Sequence, residues 1–425
     1  MTLVVFVASL LGAMALGMPI AFALLMCGVA LMLHVGVFDA VIVAQNVMTG
    51  ADNFPLMAIP FFLLAGELMN AGGLSRRIVD FATACLGHLH GGLGYVAIIA
   101  SVIMASLSGS AVADTAALGA LLLPMMKRAG YDPHRSGGLL AAGGIIAPII
   151  PPSIGFIIFG VAAGVSVTKL FIAGIVPGLM LALALVITWW WLSRKETFVP
   201  VPKASWAARA QAARDGAWAL VMPVIIIGGL KLGVFTPTEA AVVAAVYALV
   251  VGLFVYRELK FGAIYGILLS AAKMTAVIML LVAAAFVSAW LITIANVPAQ
   301  LGEILSPLLA SPVLLLLVMM LLVVVVGTAL DFVPTVLILT PVLMPLVKQA
   351  GIDPVYFGVL FIINNAIGLI TPPVGTVLNV ICGVGKLRME ALIAGVWPFI
   401  VAQLGVLLLL ILFPQLVLAP LRWLH

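Results

Sequence analysis

Two stretches of this 425-residue chain carry chemistry that a regular helix would hide. They are Gly143-Gly144-Ile145-Ile146-Ala147-Pro148-Ile149-Ile150-Pro151-Pro152-Ser153 and Asn364-Asn365-Ala366-Ile367-Gly368-Leu369-Ile370-Thr371-Pro372-Pro373-Val374-Gly375. Proline has no N–H and its ring displaces the carbonyl four residues earlier. Each Pro-Pro pair therefore leaves carbonyl oxygens without intrahelical partners. Free carbonyls beside Ser or Thr hydroxyls are hard oxygen donors of the kind an alkali cation such as Na⁺ takes. A helix restarting after such a break points its free N–H groups at an anion. The composition thus favours a site where a cation and a carboxylate bind side by side.

A second pair of breaks accompanies the first. Ser108-Gly109-Ser110 interrupts one apolar stretch, and Gly327-Thr328 to Asp331-Phe332-Val333-Pro334 interrupts another. Ionisable side chains are costly at bilayer depth and are usually functional there, which singles out Asp114, four residues after the first break, and Asp331 in the second. The candidate substrate contacts are Ser108, Gly109, Ser110, Asp114, Asp331, Thr335, Asn364 and Asn365. Glu67 and Lys273 are left without a role. Glu239, in Thr236-Pro237-Thr238-Glu239, reads as a helix cap.

The elements that hold these residues follow from composition. With 19 Lys+Arg, 14 Asp+Glu and 65% hydrophobic residues, at a mean hydropathy of +1.36, the chain has too few polar groups to cover a soluble globule. Nucleic-acid binding and soluble enzymology are excluded. Uncharged runs at 1–38, 81–113, 136–168, 170–193, 274–302, 304–330, 354–385 and 391–421 each exceed the roughly 20 residues that cross a bilayer core. The expected fold is therefore an all-α polytopic membrane protein. Cys27, Cys85 and Cys382 show no metal-binding or disulfide spacing. No phosphate loop or nucleophile–base cluster is present, so the chain does not read as an enzyme.

An internal repeat organises the spans. A shift of 221 places residues 106–152 on 327–373, so that Lys127-x-Ala-Gly-x-Asp-Pro recurs from Lys348 and Pro151-Pro152 recurs as Pro372-Pro373. The first shared turn carries Lys127, Arg128, His134 and Arg135, whereas the second keeps only Lys348. Basic loops face the cytoplasm, so the two turns are expected on opposite faces and the halves are inverted. The resulting division is a first repeat 1–193 (hairpin 88–130, broken helix 136–165), a basic cytoplasmic connector 194–215, and a second repeat 216–425 (hairpin 308–350, broken helix 354–385). Segments 88–130 and 308–350 must then be re-entrant helical hairpins, and both termini are expected in the periplasm. Inverted repeats with broken helices are the mark of secondary transporters.

These residues resemble a known family, the large membrane subunit of tripartite ATP-independent periplasmic (TRAP) transporters, over essentially the whole chain. Carrying the likeness are Ala65-Gly66-Glu67-Leu68-Met69-Asn70-Ala71-Gly72-Gly73-Leu74, Ser108-Gly109-Ser110 with Ala113-Asp114-Thr115, Ile150-Pro151-Pro152-Ser153, Phe235-Thr236-Pro237-Thr238-Glu239-Ala240 and Thr371-Pro372-Pro373-Val374-Gly375. The resemblance implies the elevator architecture of the ion-transporter superfamily. It also implies Na⁺-driven symport of a small carboxylate, in the sugar-acid branch or as a C4-dicarboxylate, into the cytoplasm. Its partners would be a periplasmic substrate-binding protein and a small four-helix membrane subunit, in a bacterial inner membrane.

The same resemblance implies one Na⁺ site at Gly327, Gly368, Thr371 and Val374. The repeat offset carries its counterpart to Ser106, Ala147, Ile150 and Ser153, with Gly144 close by. Ala147-Pro148 departs from the Gly-Ile or Gly-Val common in the family. A scaffold of 2–73, 168–193, 216–294 and 391–420 is expected around a mobile core of 88–165 and 308–385. The alternatives are a stand-alone Na⁺/dicarboxylate symporter that needs no binding protein, and a channel or structural scaffold.

Overall fold

The computed structural model describes residues 2–423 apart from 200, 305, 310 and 329, and all regular structure among them is helical. Helices are the one local structure that satisfies backbone hydrogen bonds within a single lipid-exposed segment. The chain opens with α1 (Thr2–Ala15), α2 (Ile20–Val35) and α3 (Ala40–Ala51), and a 3-10 turn leads into α4 (Ala58–Ala71) and α5 (Leu74–Leu86). Next come α6 (Gly92–Ser108), α7 (Ala111–Arg128), α8 (Pro133–Gly144), α9 (Ile154–Ala163) and α10 (Val167–Ser193). The second half holds α11 (Trp206–Lys231), α12 (Pro237–Val250), α13 (Phe261–Ile294), and short α14 (Val297–Ile304) and α15 (Ser306–Leu309). It ends with α16 (Pro312–Gly327), α17 (Phe332–Gln349), α18 (Pro354–Gly368), α19 (Thr376–Gly385), α20 (Met389–Leu412) and α21 (Gln415–Trp423). Among the described residues, seven helical segments are long and apolar enough to cross a membrane.

The repeated Lys-x-Ala-Gly-x-Asp-Pro motif has a direct physical role. Gly130 (φ +83°) and Gly351 (φ +67°) take the left-handed conformation that ends α7 and α17. Asp132 then accepts hydrogen bonds from His134 N and Arg135 N, both at 2.8 Å, and Asp353 accepts from Val355 N and Tyr356 N. Pro133 and Pro354 occupy the first helical turn, where a missing N–H costs nothing. One seven-residue phrase therefore stops one helix and starts the next in both halves.

The broken helices are too short to cross alone. At 1.5 Å per residue, α8 spans about 18 Å and α9 about 15 Å. Between them residues 145–153 run outside regular helix, and 369–375 do so between α18 and α19. Both Pro-Pro peptide bonds are cis. The first tip turns at Gly109 between α6 and α7, and the second between α16 and α17, where Ala329 lies outside the described residues.

Helix packing forms two groups, which meet chiefly where α5 lies on α6 and α13 lies on α17. In one, α1 lies on α2, α2 and α3 lie on α13, α4 packs between α12 and α13, and α5 lies on α11. In the other, α6 to α9 and α16 to α19 pack together, and α10 and α20 belong with them. The expectation that 168–193 and 391–420 stand with the scaffold is therefore corrected. The cause is close backbone approach at small residues, the usual means of helix association in a membrane. A Cβ on Gly138 would lie 2.7 Å from the Gly395 carbonyl, and one on Gly174 would lie 2.6 Å from the Ile149 carbonyl oxygen. Gln403 Nε2 donates to Ala142 O at 2.9 Å and Trp189 Nε1 donates to Gly91 O at 2.9 Å.

Three further features were not read from the sequence. Helices α3 and α5 are too short to span, and α5 is amphipathic, burying Leu74, Ile78, Val79 and Ala82. After α13 the chain forms two short helices, α14 and α15, before α16 begins. The connector after α10 is not free over its first residues: Val199 N donates to Ala129 O at 3.1 Å, Phe198 stacks on Tyr131, and Glu196 pairs with Arg135.

Candidate functional site

The tips and breaks meet around one cavity of about 360 Å³. Its floor is Gly109, Ser110 and Ala111 from the first tip, Pro148 with Ile154 and Gly155 from the first break, Asp331, Phe332 and Val333 from the second tip, and Leu369 and Thr376 from the second break. An apolar wall comes from the other helix group: Leu63 on α4, and Met274, Val277, Ile278 and Leu281 on α13. The cavity thus lies between the two packing groups.

Four helices begin at this cavity, namely α7, α9, α17 and α19, each contributing its first residue to the lining. The first turn of a helix has N–H groups without intrahelical partners and carries partial positive charge. Ser110 Oγ accepts from Ala113 N at 3.4 Å, and Ser153 Oγ accepts from Phe156 N at 3.1 Å, so α7 and α9 are capped. Neither α17 nor α19 has a side-chain cap. No Lys, Arg or His is among the lining residues. The arrangement can hold an anion through backbone N–H groups alone.

Of the candidate substrate contacts, Gly109, Ser110 and Asp331 line the cavity. Ser108 lines a smaller neighbouring one. Asp114, Thr335, Asn364 and Asn365 do not reach either cavity; all are buried and serve the framework. Ser108 Oγ donates to Asp114 Oδ1 at 2.5 Å, which fixes the first tip to α7. Thr335 Oγ1 donates to Asp331 O at 2.9 Å, and Asn365 Nδ2 donates to Phe332 O at 2.8 Å, which hold the start of α17. Asn364 Nδ2 donates to Met320 O at 2.6 Å and ties α18 to α16. Thr376, whose Oγ1 donates to Asp331 Oδ1 at 3.4 Å, was not singled out by sequence. Nor was the wall from α4 and α13, whose apolar side chains carry no distinguishing chemistry.

The cation candidates fall into two sets. In the second half, Gly327 and Gly368 touch backbone to backbone. Thr371 N donates to Gly368 O at 3.1 Å and Thr371 Oγ1 donates to Ile367 O at 2.8 Å. Val374 O accepts from Asn379 Nδ2 at 3.0 Å. Each of these oxygens keeps a lone pair, so the donor set is of the hard oxygen type that suits Na⁺. In the first half, Gly144 packs against Ala111 and Thr115 of α7, and Ala147 N donates to Gly144 O at 3.1 Å. Ile150 N donates to Ile146 O, Ser153 Oγ donates to Pro148 O at 2.5 Å, and Ser106 Oγ donates to Ile103 O at 2.6 Å. The tip lies on this break, since a Cβ on Gly109 would stand 2.5 Å from Pro152 O.

The helix cap read at Glu239 is present, and Lys273 has simple surroundings. Thr236 and Glu239 form a reciprocal capping box at the start of α12. Lys273 is exposed on α13 and makes no ion pair among the described residues.

Residues 7–416 match the family model described as "Tripartite ATP-independent periplasmic transporter, DctM component". The chain is 56% identical over 425 residues to the 2,3-diketo-L-gulonate TRAP transporter large permease protein of Escherichia coli (strain K12), covering 100% of both. It is 39% identical over 405 residues to the sialic acid TRAP transporter large permease protein of Vibrio cholerae, covering 95% of both. Its fold is similar to the crystal structure of the Alcanivorax borkumensis YdaH transporter, with a TM-score of 0.60 at 17% identity, covering 87% of this chain and 86% of that one. A multi-pass membrane protein with this sequence is a transporter permease, not an enzyme, and the chain belongs to the TRAP transporter large permease family.

Proposed function

We propose that this permease carries a small organic carboxylate together with Na⁺ into the cytoplasm of a bacterial cell. The observation that carries the reading is the convergence of four helix starts on a cavity with no basic side chain. A carboxylate held by N–H dipoles alone keeps much of its charge uncompensated. Cations bound behind the same tips would complete the neutralisation, which couples anion affinity to Na⁺. Site 1 is assigned to Ser106, Gly144, Ala147, Ile150 and Ser153, and site 2 to Gly327, Gly368, Thr371 and Val374. The close Gly327–Gly368 approach supports site 2 in particular.

The substrate class we favour is a sugar acid. Asp331 and Thr376 together offer an acceptor and a hydroxyl at the cavity, a pairing suited to substrate hydroxyl groups. The 56% identity to a 2,3-diketo-L-gulonate permease supports the same choice. Movement would be of the elevator type, with the group holding both tips, both breaks, α10 and α20 sliding past α4 and α13. The division into repeats 1–193 and 216–425 joined by 194–215, the periplasmic termini and the inner-membrane location belong to this reading. So do the two partners, a small four-helix membrane subunit and a periplasmic binding protein.

The test is uptake of labelled 2,3-diketo-L-gulonate, sialic acid and succinate into proteoliposomes, with binding protein and small subunit present or omitted, with and without an inward Na⁺ gradient. Uptake that requires both the gradient and the binding protein is expected. Gradient-driven uptake without the binding protein would make the chain a stand-alone symporter, and flux indifferent to Na⁺ would overturn the coupling.

A further inference from the structure

Beside the main cavity lies a second of about 220 Å³, lined by Glu67, Asn70, Ser108, Ser110 and Ser270 among others. The two adjoin, sharing Leu63, Ser110, Val112 and Met274 in their linings. The smaller one is displaced along both wall helices in one sense. It touches α13 at Ser270 and Met274, closer to Phe261, and α4 at Glu67 and Asn70, closer to Ala71. Those helix ends adjoin Arg257, Lys260, Arg76 and Arg77. The antechamber therefore leads from the main cavity toward the basic face.

Across both cavities the charged lining residues are Asp331, on a tip, and Glu67, on the wall helix α4. Glu67 accepts a hydrogen bond from Ser270 Oγ at 3.4 Å, and Ser270 belongs to the wall helix α13. Gly66 packs against Ser108, which brings the first tip onto this part of α4. An anion leaving the N–H cluster in this direction meets a negative charge fixed to the wall.

We propose that Glu67 is a release residue, lowering the affinity for the anion at the antechamber and so setting the rate of its discharge on the basic face. The inference rests on the anion-symport reading above. A charge placed on the wall, and not on the tips, acts on the substrate only in the arrangement where tip and antechamber are joined. Like charges about 10 Å apart at an effective dielectric near 20 change affinity roughly tenfold.

The experiment is equilibrium binding of labelled 2,3-diketo-L-gulonate to the detergent-solubilised permease with its small subunit in saturating Na⁺, paired with net uptake in proteoliposomes. Glu67→Gln is expected to tighten Kd roughly threefold to tenfold while net uptake slows. Glu67→Asp should stay near wild type. Ser270→Ala removes the hydrogen bond but keeps the charge and should leave Kd unchanged, whereas Ser270→Asp adds charge and should weaken binding. If E67Q and S270A shift Kd alike, Glu67 acts through its hydrogen bond and the proposal falls. An S270D protein that binds like wild type overturns it even if E67Q does not fold. Wild type that neither binds nor transports the probe defeats the substrate class proposed above, and this inference with it.

Discussion

Gly327 and Gly368 meet backbone to backbone: a Cβ on Gly368 would lie 3.3 Å from the Cα, carbonyl carbon and oxygen of Gly327. The last residue of α16 thus touches the last residue of α18, one turn before the Pro372-Pro373 break. The two main chains come this close because neither residue carries a side chain. A donor set built from main chain depends on that absence.

Gly368→Ala should therefore push the two helices apart by a few tenths of an ångström. Overpacking of this kind costs about 1–3 kcal/mol. We expect a lower thermal midpoint and a several-fold higher Na⁺ concentration for half-maximal uptake. Unchanged Na⁺ dependence would remove Gly368 from site 2.

Thr371→Val keeps the volume and removes Oγ1, which donates to Ile367 O. Loss of one such bond costs about 0.5–1.5 kcal/mol. If the hydroxyl oxygen also faces the cation, apparent Na⁺ affinity falls about tenfold in a Na⁺ titration of uptake. An unaltered affinity would restrict site 2 to carbonyl oxygens.

Asn365→Ala removes the side-chain donor that ties α18 to Phe332 O, at the uncapped start of α17. Loss of one such bond costs about 0.5–1.5 kcal/mol. The expected outcome is reduced thermal stability and faster hydrogen exchange confined to residues 330–336. Protection equal to wild type there would show that Asn365 does not hold the tip.

Gly66→Cys with Ser108→Cys, in a chain whose Cys27, Cys85 and Cys382 have been replaced, places two thiols across the packing groups. The Cβ built on Gly66 lies 3.2 Å from Ser108 Cβ, near the separation a disulfide requires. Oxidation should abolish uptake and reduction should restore it. A cross-linked protein that transports at wild-type rate would overturn the elevator movement.

The parts of the site legible in the sequence are those written in local chemistry. Lys127-x-Ala-Gly-x-Asp-Pro and its copy at Lys348 announced two helix ends and two starts, because a left-handed glycine, an Asp cap and a Pro in the first turn act within seven residues. The Pro-Pro breaks were legible for the same reason. Gly109, Ser110 and Asp331 lie at the cavity because both helix-breaking tips turn there. Asp114, singled out as an ionisable group at bilayer depth, and the polar Thr335, Asn364 and Asn365 are buried and bind Ser108 and the backbone of Asp331, Met320 and Phe332. A buried amide that fixes a helix and one that faces a ligand look alike until the partner is known.

By itself the sequence determined the medium, the helical class, the twofold repeat and the four places where helices break. Hydropathy, proline and glycine act over a few residues, and lipid forbids an open backbone. Only the tertiary structure decided which helices pack together. Helices α10 and α20 are strongly apolar like the spans of the other group, yet Gly138, Gly174 and Gly395 let them close on the broken helices. It also decided that α4 and α13 wall the cavity and that Glu67 stands in its antechamber. In lipid every apolar face is equally at ease, so partnering follows from shape complementarity between distant segments, which no local pattern of residues records.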